Sequence, residues 1–295
     1  FNGADLTIRK SILLGRPDID GVVVLPYDTD TTSGILVGDF TYDGDDKRLN
    51  VTTALDGLNP AHLLPSLIED AGEWPLADLR LSGQILLGLE DDFSLHHIGF
   101  KGRSEGGDVT WQKAWGEEIL SLSMLEVDFL ARLDSGDVAL NTLTVGLAEG
   151  TSLNATAQAK LGDATALTSL NAEWDITSLK QNEIARFWPR HIPDTLAEKW
   201  MTERLSAGTY TGITGRVGLN ANADGTLPYP QEVDVAFAFT DMDIDYANPL
   251  TPVTQVTGRG QMTGKAMDLN VDRGIVGDMQ VTSGTLAFDD LITTG

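Results

Sequence analysis

The sequence contains no cysteine. That excludes a disulfide framework, thiolate catalysis and any cysteine-ligated zinc site, although it fixes no compartment. Histidine is scarce, with four in 295 residues, and cations are outnumbered: Lys and Arg total 20 against 44 Asp and Glu, a formal charge of −24. The acidic residues are spread along the whole chain, so its field repels nucleic acid and anionic lipid headgroups and identifies no partner. No run approaches the roughly 18 apolar residues of a membrane span, and Phe1-Asn2-Gly3 does not open a signal peptide. The chain starts without Met and stops at Thr294-Gly295 in mid-pattern, so the expectation is an internal fragment with any anchor or targeting signal outside it. There is no G-x-S-x-G nucleophile elbow, no P-loop and no dinucleotide fingerprint in strand-to-helix context, so the reading is non-enzymatic, with no cofactor and no metal.

What is present is a folded, β-rich composition: 41% hydrophobic, with 31 Gly and 11 Pro. The dominant signal has period two. In Leu79, Leu81, Gly83, Ile85, Leu87 and Leu89 every second residue is apolar or Gly, while Arg80, Ser82 and Gln84 take the other side, as one half-buried strand requires. The same alternation runs through Leu49 to Leu55, Leu153 to Leu161, Ile213 to Leu219, and Val233, Val235, Phe237 and Phe239. Turn signals punctuate these runs: Asp43-Gly44, Ser135-Gly136, Asp224-Gly225 and Asp272-Arg273-Gly274. Neighbouring strands are therefore predicted to pair as antiparallel hairpins and meanders.

Two segments break the pattern. After Asn59-Pro60, Leu63, Leu64, Leu67 and Ile68 recur at helical spacing, which predicts a short helix near 60–71. After Pro193, Thr195 and Glu198 form a capping box and Gly208 supplies a stop, with Ala197, Trp200, Met201 and Leu205 on one face; this predicts a second helix near 194–206. The organisation read from this is a single β segment over 1–295, with two related halves, 1–180 and 181–295, as the alternative.

Three clusters invite chemistry. Glu90 to His97 offers metal-binding side chains, but on a strand His96 and His97 face opposite sides, so a hairpin turn followed by an ordinary strand is the better reading. Asp241, Asp243 and Asp245 imitate a calcium loop, yet Tyr246 stands where Gly is needed and Pro252 where Glu is needed, leaving the wet face of a strand. The apolar faces themselves fit either the filled core of a sandwich or a groove open to an apolar ligand, and periodicity does not separate the two.

Phe187-Trp188-Pro189, then a helix carrying Trp200 and Leu205, then Gly208 and a strand, resembles the internal signature of the large AsmA-like bacterial envelope proteins, in their YhdP-type branch. Leu55 to Pro60 leading to Trp74-Pro75-Leu76-Ala77, the run from Asp243 through Pro249-Leu250 to Gly258, and the tail from Met267 to Asp290 resemble further parts of that pattern, together spanning about residues 46 to 291. The resemblance implies a long curved antiparallel sheet forming an open, taco-like groove. It implies a segment of an inner-membrane-anchored periplasmic protein that conducts phospholipid acyl chains between the inner and outer membrane. On that footing Leu79, Leu81, Ile85, Leu87, Val233, Val235, Phe237 and Phe239 are expected to line the groove, and Trp188, Pro189, Trp200 and Leu205 to plug or edge it. The alternative is an extracellular structural or carbohydrate-binding β-sandwich or solenoid with a closed core.

Overall fold

The computed structural model describes residues 5–13, 16–28, 33–43, 47–59, 76–92, 94–110, 119–162, 166–187, 200–222, 232–245 and 250–289. The chain divides into two compact units. Phe1–Thr110, Ile119–Ala148 and Thr156–Leu167 form the first, and Trp111–Glu118, Glu149–Ala155 and Thr168–Gly295 the second. Both are built from antiparallel strands, as the period-two pattern predicts, so the fold is mainly β with short helical pieces.

Unit 1 contains β1 (Asp5–Leu13), β2 (Arg16–Asp28), β3 (Ser33–Asp43), β4 (Arg48–Leu58), β5 (Leu76–Leu79), β6 (Leu81–Leu89), β7 (Leu95–Ser104), β8 (Gly107–Thr110), β9 (Ile119–Arg132) and β10 (Asp137–Leu147). The division between units falls within β11 (Ser152–Leu161). The lateral order in unit 1 is β1-β2-β3-β4-β6-β7-β9-β10, a meander in which sequence neighbours pair.

The predicted continuous strand from Leu79 to Leu89 is interrupted. Leu79 of β5 faces Gly107, whereas Leu81 of β6 faces Leu58, and Arg80 lies between the two strands. The interruption has company on each side. β4 shifts register between Leu55 and Leu58, β7 gives way to β8 at Glu105-Gly106, and the β9–β10 pairing shifts between Gly146 and Leu147. Irregularities of this kind bend a strand locally, and here they line up as a crease across neighbouring strands.

Unit 2 contains β12 (Leu167–Lys180), helix α1 (Gln181–Phe187), a π-helical turn (Trp200–Arg204), β13 (Leu205–Ser206), β14 (Thr209–Asn220), β15 (Glu232–Ile244), β16 (Val253–Thr263), β17 (Ala266–Val276), β18 (Met279–Val281) and β19 (Gly284–Asp289). Its lateral order is β12-β14-β15-β16-β17-β19, with β13 beside the end of β15 and β18 beside the end of β17. The helix predicted near 60–71 lies outside the described residues. The one predicted near 194–206 is described only from Trp200, as the π-helical turn, and it ends at Arg204 because Leu205 is already paired with Ile244. Asp272-Arg273-Gly274 is a bulge inside β17 rather than the predicted turn; the chain reverses at Gly277-Asp278 instead.

The two units share a plan. A long strand (β4, β12) leads to an interruption, then to a short strand (β5, β13) that joins the far end of a neighbour (β8, β15), and then to a long strand (β6, β14) paired back onto the first. In unit 2 the interruption is pinned down. Lys180 N–H donates to Glu183 Oε2 at 3.0 Å at the start of α1, and the buried Gln181 amide donates to the Leu205 carbonyl at 3.0 Å. Ile184 and Leu205 then close over Tyr210, Phe239, Met242, Ile244 and Val256, of which Met242 and Val256 are 1% and 0% exposed.

Candidate functional site

Antiparallel register places side chains in rows across a sheet face. In unit 1 one row runs Phe40, Val51, Leu87, Ile98, Ala131, Val138, and the next Gly38, Thr53, Ile85, Phe100, Phe129, Leu140. A third runs Leu55, Gly83, Gly102, Val127, Leu143. The result is an apolar floor about five strands wide between β4 and β10, roughly 24 Å at ~4.8 Å per strand. Phe100 and Phe129 meet at 6.4 Å between ring centroids.

The opposite face is wet. There Lys101 pairs with Asp128 at 3.1 Å, and the amide of Asn141 donates to the same carboxylate at 3.1 Å; these two contacts hold the Asp128 carboxyl below its ordinary pKa.

The floor is not sealed. Val51, Ile85, Leu87, Ile98, Phe100, Val127, Phe129 and Leu140 are all half-buried, although a filled sandwich interior would bury them almost completely. In unit 1 the described elements whose backbones approach most closely are lateral neighbours in the sheet. The large side chains that are buried, Leu55, Leu79, Leu122 and Leu147, lie at the crease; on the floor itself the small Ala131 is buried as well.

Unit 2 repeats the pattern with a sharper gradient. One row is Trp174, Gly215, Val235, Met262, Met267, Phe288; beside it lie Phe237, Gly260, Leu269, Leu286 and then Tyr210, Phe239, Gly258, Val271. Aromatic rings lie over the glycines that face them: a Cβ on Gly215 would come within 2.2 Å of the Trp174 ring, and one on Gly260 within 2.3 Å of Phe237. Tyr210 and Phe237 pack edge to face at 5.4 Å. At the capped end Phe239 is 2% exposed and Tyr210 3%, and burial pushes the Tyr210 phenol pKa up. The space left among Leu205, Tyr210, Phe237, Phe239, Met242 and Met267 is about 10 Å³, the threshold for one water. Away from the cap, Val233, Val235, Phe237, Met262, Leu286 and Phe288 are half-buried. A roomier hollow, about 1020 Å³, lies on the polar side between Ala236, Ala238, Arg259, Asn270 and Asp272.

The residues singled out from the sequence distribute as follows. Ile85 and Leu87 lie on the floor of unit 1, Leu81 continues it toward the crease, and Leu79 is buried on β5. Val233, Val235 and Phe237 lie on the open part of the unit 2 face, and Phe239 under its cap. Leu205 belongs to the cap, and Trp200 opens the π-helical turn; Trp188 and Pro189 lie outside the described residues. Sequence reasoning singled out one strand per unit and missed the partners that complete each floor, Phe100, Phe129, Trp174 and Met262 among them. The alternation Ile98, Phe100, Gly102 was available as a signal, whereas that of β9 is scrambled by its irregularity beside Ser123.

The acidic and histidine clusters fall into structural roles. Asp91 and Asp92 form the hairpin turn, closed by Glu90 N–H donating to the Ser94 carbonyl at 2.9 Å. His96 Nδ1 lies 3.3 Å from Glu90 and 3.5 Å from Asp134, and His97 lies over Gly88; the two imidazoles meet edge to face at 5.4 Å rather than taking the opposite sides expected of a regular strand, because His96 is the extra residue where the β6–β7 register shifts. Met242 and Ile244 point inward; Asp243 accepts from Gln255 N–H at 3.0 Å, and Asp245 pairs with Arg204 at 3.7 Å. Among the described residues no group of three or more His, Asp and Glu is placed to hold a metal ion, and no helix is long and apolar enough to cross a membrane. Comparison with protein families, with characterised proteins and with solved structures finds no match to this chain.

Proposed function

We propose that this chain is a non-enzymatic carrier segment whose apolar sheet faces hold phospholipid acyl chains, in the manner of the AsmA-like envelope proteins that its Trp-Pro and helix-to-strand motifs resemble. On this reading it works in the periplasm as part of an inner-membrane-anchored protein and conducts lipid between the inner and outer membrane. The observation that carries the proposal is the floor of unit 1: aligned rows of Leu, Ile, Val and Phe that remain half-buried. A contiguous apolar surface of this kind favours an occupant.

The physics of the task matches the surface. Each CH₂ moved from water to an apolar contact is worth about 0.8 kcal/mol, so a chain of about sixteen carbons resists crossing water by ~12 kcal/mol. A floor of aliphatic and aromatic side chains cancels much of that cost with no covalent step. The open floor serves the purpose; within unit 2 the capped end, with about 10 Å³ free, leaves no room for a chain.

The test is to purify the protein and identify co-extracted lipid by mass spectrometry, then to delipidate it and measure uptake of a long-chain phospholipid. Bound phospholipid and restored uptake are expected. Protein that neither carries nor takes up lipid overturns the reading.

A further inference from the structure

The three rows that make the floor of unit 1 hold a single polar side chain, Thr53 on β4. Its row runs Gly38, Thr53, Ile85, Phe100, Phe129, Leu140, so the threonine stands near one end and hydrocarbon side chains follow it across β6, β7, β9 and β10. From Thr53 to Leu140 the row crosses four strand spacings, roughly 19 Å at ~4.8 Å each, a span on the scale of one extended long acyl chain.

The glycine beside Thr53 records where its hydroxyl points. A Cβ added to Gly38 would lie 3.1 Å from Thr53 Oγ1, so the hydroxyl leans along the row toward Gly38 and away from Ile85. Gly38 is buried beneath it, while Thr53 itself is half-buried, like Val51, Ile85 and Leu87 around it. The hydroxyl makes no hydrogen bond to any described residue. Valine would fill the same shape and suits a strand equally well, so neither packing nor strand propensity calls for a hydroxyl at this place. A hydroxyl turned toward hydrocarbon costs free energy unless something accepts its proton. A lipid brings such an acceptor with its tail, because the ester that joins tail to glycerol carries a carbonyl oxygen.

We propose that Thr53 donates a hydrogen bond to an ester carbonyl of the bound lipid and thereby sets where the tail begins, with the hydrocarbon running along the row toward Leu140. This rests on the carrier reading and deepens it: the ligand class is an acyl ester, and a hydrocarbon of equal length without the carbonyl is a poorer ligand. Thr53 is a contact and positioning residue, and no covalent step is involved.

Vesicles holding equal amounts of dipalmitoyl phosphatidylcholine and its dihexadecyl ether analogue offer the protein two lipids that differ in their carbonyls alone. Delipidated protein is incubated with them and recovered, and its lipid is identified by mass spectrometry. The wild type should take up the diester in preference to the diether by about fivefold, the factor that one neutral hydrogen bond supplies. Thr53→Val should abolish that preference with ether uptake unchanged, and Thr53→Ser should retain it. Unchanged ether uptake separates a lost hydrogen bond from a damaged floor. Circular dichroism checks the fold, and Thr53→Ala takes the place of the valine variant should that one fail. No preference in the wild type, or a preference that survives loss of the hydroxyl, overturns the anchor and leaves acyl-chain carriage standing. Uptake of neither lipid removes the carrier reading and the anchor together.

Discussion

The Phe237 ring lies over Gly260, its cross-strand partner, so closely that a Cβ on the glycine would sit 2.3 Å from the ring. Phe239 relates to Gly258 in the same way one pair further along, but there an added Cβ would also meet the Asn270 carbonyl at 2.2 Å. The two glycines differ in what can yield. A phenyl ring on a half-open face can swing aside, whereas the backbone of a paired strand cannot. Gly260→Ala should therefore cost about 1 kcal/mol and Gly258→Ala about 3 kcal/mol, the two ends of the overpacking range. Urea unfolding midpoints at constant slope check the order, and equal costs would contradict it.

Burial along β15 predicts a second contrast. Phe239 is 2% exposed beneath Ile184 and Leu205, so Phe239→Ala should cost about 3–5 kcal/mol. Val235, on the same face but half-buried, should cost about 1 kcal/mol or less when cut to Ala. If delipidated protein loses as much from Val235→Ala as from Phe239→Ala, that part of the face is covered and not open.

For unit 1, photoreactive residues placed singly at positions 82 to 88 should cross-link acyl chains at 83, 85 and 87 and not at 82, 84 or 86. The parity follows from register, since Ile85 and Leu87 share the floor with Phe100 and Ile98, whereas Gln84 faces Lys101 on the wet side. Mass spectrometry of the adducts reads the result. Adducts without parity would show contact that ignores the floor.

How far the sequence told this in advance can be seen residue by residue. Strict alternation between Val233 and Phe239 announced a strand with one apolar face, because a period of two survives wherever a strand is regular. It failed where a strand bends. Arg80 looked like one more outward residue, yet it separates two strands, and a single extra residue there changes the pairing without leaving a mark in hydropathy. Asp272-Arg273-Gly274 had the composition of a turn and is held as a bulge by its neighbours. Helix α1, Gln181–Phe187, carries too few apolar residues for a helical period to register, and its first turn is fixed by Glu183 accepting from Lys180 N–H. Openness of the apolar face is a tertiary property. The half-burial of Leu87 is set by its tertiary surroundings, which no local pattern records.

Ala207 has φ +56°, a left-handed conformation in which an L side chain is strained, at the point where β13 passes to β14. Its side chain is exposed, so removing the methyl group forfeits no packing. Relief of the strain opposes the greater unfolded-chain entropy of glycine, and the strain, about 1–2 kcal/mol, is the larger. Ala207→Gly should raise stability by about 0.5–1 kcal/mol, read as a higher urea midpoint. An unchanged or lower midpoint would contradict it.

His97 sets a pH dependence of known sign. Burial holds its pKa below the ordinary 6.5, reinforced by the positive fields of His96, Arg132 and Arg48 and opposed by Asp134. The unfolded chain, whose imidazole titrates near its ordinary value, therefore takes up the proton first as pH falls. Between the unfolded and folded pKa values the unfolded state holds the extra proton, so the contribution to stability is fully present above pH ~6.5, declines as pH falls below it, and levels off beneath the folded value. The imidazole resonances of His97 should titrate with a midpoint below ~6.5. His97→Asn should lose less stability than the wild type between pH 8 and pH 5, a comparison in which the common carboxylate contributions cancel. A midpoint at or above the ordinary value, or identical pH slopes for the two proteins, would show that the imidazole over Gly88 is solvated instead of shielded.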